Sequence, residues 1–387
     1  MNKRLASFDF IVSCLSAQSD SYTNENLHSA IVSGRLDWQL ILNIANIQKI
    51  TPAFWVALKT RRLAEYLPPE TRKHLFKNYL LNALKNKDFV GQAIEAVRQL
   101  NSIGIEPILL KGGASLFVKT FDDPGSRFMA DLDILIPKKS AEECWNALRN
   151  LGYLPIETSS HFHVDYQGCH HHLHPLYHPN RYGTIEIHKD ALPNSAARIL
   201  PTSLIWEQSE FVPDQFSLMM RVPSPTHRLL HNLLHSDLIN ETYARGKLSL
   251  WSLYELAALQ AIYRERIDWA TISELMIRGG QAHILEASLY LTHRLLGSPI
   301  VDGIYPTLGS AVHHARTRLQ IRWDWLDQLV ERAFYFSKDS ICERYNCDDS
   351  FWSLTKGRLH LSALLSWKYI NQVSRFIGRQ LSMGSTK

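Results

Sequence analysis

Apolar residues recur at helical spacing through the first hundred residues of the chain. A period of three to four residues is typical of helices that bury one face. Pro68-Pro69 interrupts the pattern, and Glu70 and Thr71 begin a new helix. A last helix is predicted from about Lys87 to Ser102. The pattern therefore predicts a helical N-terminal region, residues 1–102. Its apolar positions include Leu40, Ile41, Ile44, Ile47, Phe54, Trp55, Leu58, Leu80, Leu81, Leu84, Val90, Ile94, Val97 and Leu100.

The pattern changes at Gly104, after which short apolar runs alternate with polar turns. One run covers 105–110, a second covers 131–136, and helical spacing returns at 114–118 and 140–151. Residues 182–188 alternate as a half-buried strand does, with Ile185 and Ile187 on one face and Glu186 and His188 on the other. This order of strands and helices predicts an α/β or α+β unit at 103–200.

Beyond Pro201 the spacing is helical almost to the end of the chain, which predicts a third region at 201–387. The complete prediction is an α+β fold, in which a small mixed sheet with helices is flanked by N-terminal and larger C-terminal all-helical regions. The predicted C-terminal helices are His227–Asp237, Leu248–Tyr263, Ala282–Leu296, Trp325–Phe336 and Leu359–Ile377.

Composition narrows the class of protein but not its chemistry. The chain has 387 residues, of which 45% are hydrophobic and 20% charged, so most of it is not disordered. A formal net charge of +5 suits an anionic ligand, although it is too small to indicate nucleic acid by itself.

Cysteine usage and the lack of apolar stretches indicate a cytoplasmic protein. The five cysteines are scattered without C-x-x-C spacing, which favours buried thiols in a reducing compartment. The N-terminal stretch has no long apolar core of a signal peptide, and no window is apolar enough to span a membrane.

The residues that indicate chemistry lie in the central region. Asp131 and Asp133 alternate on one strand, so both carboxylates leave the same face. Carboxylates are preferred ligands of Mg²⁺ (or Mn²⁺), and Glu186 on a neighbouring strand would complete a two-metal cluster. The alternatives are a solvated strand edge for the aspartates and a solvent-facing Glu186, which could also be a general base.

A glycine turn that opens a helix offers free N–H groups to phosphates, and Gly112 and Gly113 stand at such a turn. Lys111 and Arg127 could offset the charge of a leaving pyrophosphate. The other interpretations are a surface lysine for Lys111 and, for Arg127, a salt bridge that braces the loop, for example to Asp131.

These motifs, in this order, resemble the DNA polymerase β-like nucleotidyltransferase superfamily. More closely, the sequence is similar to an uncharacterised bacterial nucleotidyltransferase family, of the NTP-transferase-5 type. The resemblance implies a nucleotidyltransferase-type sheet, a nucleoside triphosphate (NTP) substrate and metal binding by Asp131, Asp133 and Glu186. The matching segments are Gly104–Gly112, Asp123–Arg127, Asp131–Ile136 and Ile185–His188, with a helical histidine segment at His227, His231 and His235.

Two positions depart from that pattern. The superfamily usually has Gly-Ser at the turn, whereas Gly112 is followed here by Gly113. The family tends to carry an aspartate in a C-terminal helix, where this chain has Glu255.

Histidines are the other unusual feature, since eight of the 18 lie between His161 and His188. On a strand His170, His172 and His174 would share one face and could bind zinc, although a wall of the active site is the preferred interpretation. His172 or His188 is expected to contact the phosphates or the acceptor.

Two further groups of side chains have competing interpretations. The face formed by His227, His231 and His235 either packs on the catalytic region or covers the nucleotide site. Trp323, Trp325, Trp352 and Trp367 lie among basic residues, and their spacing favours core packing over nucleic-acid binding.

The hypothesis with most support is a Mg²⁺-dependent nucleotidyltransferase that joins a nucleoside monophosphate to an acceptor hydroxyl and releases pyrophosphate. Phosphoryl transfer from the same pocket and a non-catalytic nucleotide-binding or scaffolding protein remain alternatives. Because each phosphate contact normally needs a basic side chain, a small-molecule or peptide acceptor ranks above RNA, and no membrane partner is expected.

Overall fold

Helices form the N-terminal region of the computed structural model, which describes residues 2–17, 21–156, 170–212, 217–336, 353–356 and 358–359. Side-chain caps begin several of them. Asn2 accepts a hydrogen bond from the N–H of Leu5, and Asp37 accepts one from Leu40. The helices are α1 Lys3–Leu15, α2 Ser21–Val32, α3 Trp38–Ile47, α4 Thr51–Thr60 and α5 Pro69–Ser102.

Helix α5 is one continuous helix of 34 residues, although separate helices were predicted on either side of residue 87. Within α5 no proline follows Pro69 and the first glycine is Gly91, so nothing between these two residues ends the helix. Leu75 lies in the core of the N-terminal helices, whereas Phe89 and Leu100 pack on the sheet. The apolar side chains between these two ends, Phe76, Leu80, Leu81 and Leu84, are exposed.

A mixed sheet follows α5. Its seven strands have the order β3-β4-β5-β2-β1-β7-β6, in which β2–β5 and β1–β7 are parallel and the other pairs antiparallel. The α+β prediction is confirmed. The strands are β1 Ile108–Leu109, β2 Asp131–Leu135, β3 Leu154–Pro155, β4 Leu176–Tyr177, β5 Thr184–His188, β6 Glu210–Phe211 and β7 Arg221–Val222, and helices α6 Lys111–Phe117 and α7 Ala141–Arg149 lie between them.

The glycines after β1 were predicted to form a turn that opens a helix, and they lie in the first turn of α6. Close packing accounts for both of them. A Cβ on Gly112 would come within 2.8 Å of Arg127 Nη1, and a Cβ on Gly113 within 2.9 Å of Leu132 Cδ1. The glycines therefore let α6 approach β2 and the Arg127 side chain closely.

Helices make up most of the chain after β5. Helix α14, Ala282–Leu296, has the predicted bounds, and the bounds of α12, Leu250–Ile262, differ from the predicted ones by one or two residues at each end. The predicted helix His227–Asp237 ends as an α-helix at Leu233 and continues as a π-helix over Leu234–Ile239. The helices are α8 Asn194–Ala197, α9 Thr202–Glu207, α10 Pro225–Leu233, α11 Thr242–Arg245, α12 Leu250–Ile262, α13 Trp269–Arg278, α14 Ala282–Leu296 and α15 Leu308–Arg322.

The chain divides into two compact units, Met1–Arg322 and Trp323–Lys387. Within the first, Phe54 of α4 shares a core with Leu250 of α12 and Leu295 of α14. Helices from the two ends of this unit are therefore packed together. The predicted domain boundaries, at 102/103 and 200/201, stay predictions.

The second unit is described over α16, Asp324–Tyr335, and the short stretches 353–356 and 358–359. Trp323 is 37% and Trp325 62% exposed, so the expectation of core packing is wrong for these two. Trp352, Trp367 and most of the predicted helix Leu359–Ile377 lie outside the described residues.

Cys14 and Cys144 are buried free thiols, as expected. Cys169, Cys342 and Cys347 lie outside the described residues. Among the helices described here, none combines the length and the apolar character needed to cross a bilayer.

Candidate active site

Two neighbouring strands carry the three predicted carboxylates. β2 and β5 run parallel, and Asp133 lies opposite Glu186 in their register. Side chains alternate along a strand, so Asp131, Asp133 and Glu186 leave one face of the sheet, while Ile185 and Ile187 are buried on the other. The register therefore brings Glu186 beside the Asp-x-Asp pair.

Asp133 is at the centre of this group and is only 1% exposed. Its Oδ1 accepts a hydrogen bond from Lys111 Nζ at 2.8 Å and contacts His188 Nε2 at 2.9 Å. His188 Nε2 also lies 3.7 Å from Glu186 Oε2. One ligand atom from each of Asp133, Glu186 and His188 lies within 4.8 Å of the others. His188 is fully buried, and in this position it holds the two carboxylates.

The charges of this group shift its pKa values in different directions. Burial would raise the pKa of Asp133, but Lys111 and His188 hold it well below the ordinary value. Burial also opposes ionisation of Glu186, yet the nearby His188 imidazole lowers its pKa. Burial and the neighbouring Asp133 raise the pKa of Asp131 to about 6. Of the three carboxylates, Asp131 is therefore the one whose negative charge is stabilised least by its surroundings.

Burial would lower the pKa of His188, but the hydrogen bond to Asp133 and the nearby Glu186 carboxylate raise it. A protonated His188 and the Lys111 ammonium bring two positive charges to three carboxylates. At least one negative charge then has no cation in contact with it, which favours binding of a metal ion.

Lys111 is the first residue of α6 and has a left-handed backbone, with φ near +42°. This conformation is uncommon for a residue with a Cβ and is found most often at functional sites. The side chain of Lys111 reaches back to Asp133, so it is not the surface lysine of the alternative interpretation. Its predicted phosphate contact stays a prediction.

The carboxylates open into a cavity of about 610 Å³. This volume lies within the range of small-molecule sites, which is roughly 300–1,000 Å³. Three parts of the first unit contribute to its wall, and Lys111 and Gly112 line it whereas Gly113 does not. Its lining includes Gln48, Lys49, Lys111, Gly112, Arg127, Phe128, Asp131, Asp133, His171, His172, Glu186, Arg228, His231, His235, Lys247, Trp251 and Glu255.

A family model described as uncharacterised nucleotidyltransferase matches residues 34–297 of the chain, which is more than half of it. The chain belongs to this nucleotidyltransferase family. The protein is therefore a transferase of nucleotidyl groups, for which an NTP is the donor substrate. A search of curated proteins gives no significant match.

The donor atoms of this nucleotidyltransferase suit a divalent metal. The three carboxylates supply oxygen ligands, which Mg²⁺ and Mn²⁺ prefer, and their excess negative charge requires a cation. Lys111 and His188 already contact Asp133 Oδ1, whereas the carboxylate of Asp131 has no side-chain hydrogen bond among the described residues. Asp131 is therefore the carboxylate that can bind a metal without losing another partner.

Arg127 is paired within the protein, and its partner is not the Asp131 suggested from the sequence. Arg127 Nη2 lies 3.0 Å from both carboxylate oxygens of Glu255, which also accepts a hydrogen bond from Ser115. The guanidinium lies over the ring of Trp251, 5.2 Å from its centroid. Glu255, whose role the sequence left open, thus anchors the arginine of the Asp123–Arg127 loop to α12.

Helix α5 holds the other side of this loop through side chains that sequence reasoning missed. Asn82 Nδ2 donates to the carbonyls of Gly125 and Arg127, and Asn86 Nδ2 donates to those of Pro124 and Arg127, all at 2.7–2.8 Å. Both amides are buried, and asparagine has low helix propensity. Two asparagines four residues apart on a predicted helix face were the available signal.

Some of the helical histidines are buried in the protein and some line the cavity, the two positions that the sequence suggested. His227 and His231 are buried, and His231 Nε2 lies 3.1 Å from the carbonyl of Ala191. His231 and His235 also line the cavity. Burial lowers the pKa of His231 to about 4 and that of His235 well below its ordinary value. These rings therefore contribute neutral polar groups at pH 7.

The histidines before β5 do not form the predicted strand face. His171 and His172 line the cavity, and the nitrogens of His170, His171 and His172 converge. His174 is not part of this group, and its carbonyl accepts a hydrogen bond from Trp145. His161 and His163 lie outside the described residues.

Proposed function

We propose that this nucleotidyltransferase transfers a nucleoside monophosphate from an NTP to an acceptor hydroxyl and releases pyrophosphate. Asp131, Asp133 and Glu186 would hold Mg²⁺ or Mn²⁺. The observation that carries the proposal is the convergence of these carboxylates, from two parallel strands, on a cavity large enough for a nucleotide.

When bound, the metal would polarise the α-phosphate and lower the pKa of the attacking hydroxyl. The protein's own residues would prepare the site for it. His188 keeps the carboxylates of Asp133 and Glu186 close together, and Lys111 offsets part of their charge. Both contacts come from groups in fixed positions, so little reorganisation would be needed.

Basic side chains on the cavity wall would bind the triphosphate. Lys49 and Lys111 both have left-handed backbones, a conformation that functional sites often retain despite its strain. Arg228 is held by Thr120, Ser115 and the Tyr263 hydroxyl, which fix the direction of its guanidinium. The Glu255 carboxylate positions Arg127 in the same way.

Glu186 would complete the metal site or accept the proton of the acceptor hydroxyl. The nearby His188 imidazole favours its ionised form at neutral pH, which suits either role. In transfer, the acceptor oxygen forms a bond to the α-phosphorus, and the bond between that phosphorus and the bridging oxygen of pyrophosphate breaks.

A second cavity of about 240 Å³ shares Lys49 and Phe128 with the first. Its wall also contains Lys85 and the amides of Asn46 and Asn78. A space of this size next to the first cavity suits a small polar acceptor or the end of a peptide better than a folded RNA. We propose that the acceptor enters from this side.

The test is to incubate the enzyme and Mg²⁺ with NTPs labelled at either the α- or the γ-phosphate, together with a metabolite and peptide extract. Nucleotidyl transfer puts the α-label on the acceptor and leaves the γ-label in pyrophosphate. Transfer of the γ-label would instead establish phosphoryl transfer. NTP binding that ignores Mg²⁺, with neither label transferred, would establish a nucleotide-binding protein without catalysis.

A further inference from the structure

Three consecutive imidazoles form a cluster beside the carboxylates, at a bend in the chain just before β4. One nitrogen from each of His170, His171 and His172 lies within 4.8 Å of the other two. The ring centroids are 4.7–5.7 Å apart, so each ring contacts both of the others. Consecutive side chains on a strand would point to opposite faces, and the bend at His171 brings all three together.

The backbone and a second hydrogen bond fix the orientation of His172. Its backbone pairs with that of His188 in a single antiparallel bridge. Its Nδ1 donates to the carbonyl of Leu173 at 2.8 Å, so an ion would be coordinated through Nε2. Histidines that bind metals commonly donate their other ring nitrogen in this way.

The cluster adjoins the carboxylate group without being part of it. His172 Nε2 lies 4.0 Å from Glu186 Oε2, which is too long for a hydrogen bond, and the rings of His171 and His188 are 5.4 Å apart. An ion held by the imidazoles would therefore lie at the edge of the proposed NTP site.

We propose that His170, His171 and His172 bind a transition-metal ion of the Zn²⁺ or Co²⁺ type, at a site separate from the three carboxylates. Imidazole nitrogen is a preferred ligand of these ions, whereas Mg²⁺ prefers oxygen. Ligand nitrogens about 2.0–2.1 Å from a tetrahedral ion are ~3.4 Å apart, so a small rotation of the rings completes the site. The proposed function enters this proposal only in calling the neighbouring carboxylates a nucleotidyl-transfer site.

The probe is Co²⁺, because its visible absorption reports nitrogen ligands and tetrahedral geometry. The full-length protein is freed of metal with a chelator, saturated with Mg²⁺ and titrated with Co²⁺. Wild type should bind one Co²⁺ with an intense visible band. His171→Ala and His170→Ala should each weaken Co²⁺ binding at least tenfold. The matched control is His174→Ala, a neighbouring histidine outside the cluster, which should keep both the band and the affinity.

Asp131→Asn separates this site from the nucleotidyl-transfer site. It should lose Mg²⁺-dependent transfer while keeping the Co²⁺ band, so the two proposals can fail independently. The metal-site proposal is overturned if Co²⁺ gives no such band in the presence of Mg²⁺. It is equally overturned if His171→Ala and His170→Ala bind Co²⁺ as wild type does, or if His174→Ala loses the band with them.

Discussion

Two groups of charged side chains in the wall of the same cavity differ in how their positive and negative charges are paired. Arg127 and Glu255 form a buried pair in which one positive charge meets one negative charge. At the other centre, three carboxylates face Lys111 and His188, and burial together with the charge of Asp133 raises the pKa of Asp131. We therefore expect the Arg127–Glu255 pair to stabilise the fold and the three carboxylates to bind a cation.

The two centres also differ in what their residues connect. Arg127 and Glu255 are 128 positions apart and join the Asp123–Arg127 loop to α12. The carboxylates lie on adjacent strands, with Asp133 opposite Glu186. Removing Glu255 should therefore mainly reduce stability, whereas removing Asp131 should mainly reduce catalysis, and this difference can be measured.

Asp131→Asn should have the largest effect, on nucleotidyl transfer. Losing one metal ligand removes several kcal/mol of transition-state stabilisation, equivalent to a rate reduction of ~10³-fold. Folding should be preserved, because no other side chain among the described residues is hydrogen-bonded to Asp131. Label transfer from α-labelled NTP measures the rate, and thermal unfolding measures stability. Transfer within a few-fold of wild type would remove Asp131 from the metal site.

Asp133→Asn should not behave in the same way. A solvated strand edge, the alternative interpretation from the sequence, is wrong for Asp133. It is buried with Lys111 and His188, so its loss leaves two cationic groups without their carboxylate. We expect Asp133→Asn to lose both transfer and stability, which makes Asp131→Asn the clean test of catalysis.

Glu255→Leu should give the next largest effect, on stability. It leaves the buried guanidinium of Arg127 unpaired, which typically costs about 3–5 kcal/mol of unfolding free energy. Urea denaturation measures this loss. The double variant Arg127→Met/Glu255→Leu should recover part of it, because Arg127 no longer lacks a partner while Arg228 still lacks the Glu255 charge. A loss below about 1 kcal/mol in Glu255→Leu would contradict the structural role.

The matched control for this pair is an exposed one. Lys138 and Asp190 lie 3.3 Å apart, with their side chains 71% and 37% exposed. Such pairs contribute roughly 0–1 kcal/mol, so Asp190→Asn should change the unfolding free energy very little. The contrast between the two pairs isolates the effect of burial.

Local sequence patterns predicted the strand face of each site residue better than they predicted its contact partners. Alternation placed Asp131 and Asp133 on one strand face and Glu186 on the polar face of another, and the structure agrees. Whether those strands are neighbours depends on sheet order, which no local period encodes. The partner of Arg127 could not be predicted for the same reason, because Glu255 reaches it only through the packing of α12.

Short elements and buried polar side chains were beyond the reach of periodicity. β1, β3, β4, β6 and β7 have two residues each, too few to show an alternation. Gly112 and Gly113 were interpreted as a turn that offers N–H groups to phosphates, and the sequence did not show their close packing against Arg127 and Leu132. The buried amides of Asn82 and Asn86 look like exposed helix positions until the loop that they hold is known.

The smallest predicted effect is the pH dependence of stability due to Asp131. Its pKa is raised from 3.8 to about 6 in the folded protein by burial and the Asp133 charge. The folded state therefore holds a proton that the unfolded state loses, and this contribution to stability disappears as pH rises from about 4 through about 6. Asp131→Asn lacks the titration, so it should become more stable than wild type by about 1 kcal/mol, after allowing for solvent screening.

Urea denaturation in chelator between pH 4 and pH 8 measures this difference. We expect equal unfolding free energies near pH 4 and a growing advantage of Asp131→Asn up to about pH 7. Mg²⁺ should reduce the advantage, because it binds the folded wild type and stabilises it by mass action. A difference that is constant across the pH range would mean that the charge of Asp131 is already balanced, and the contrast between the two centres would then not hold.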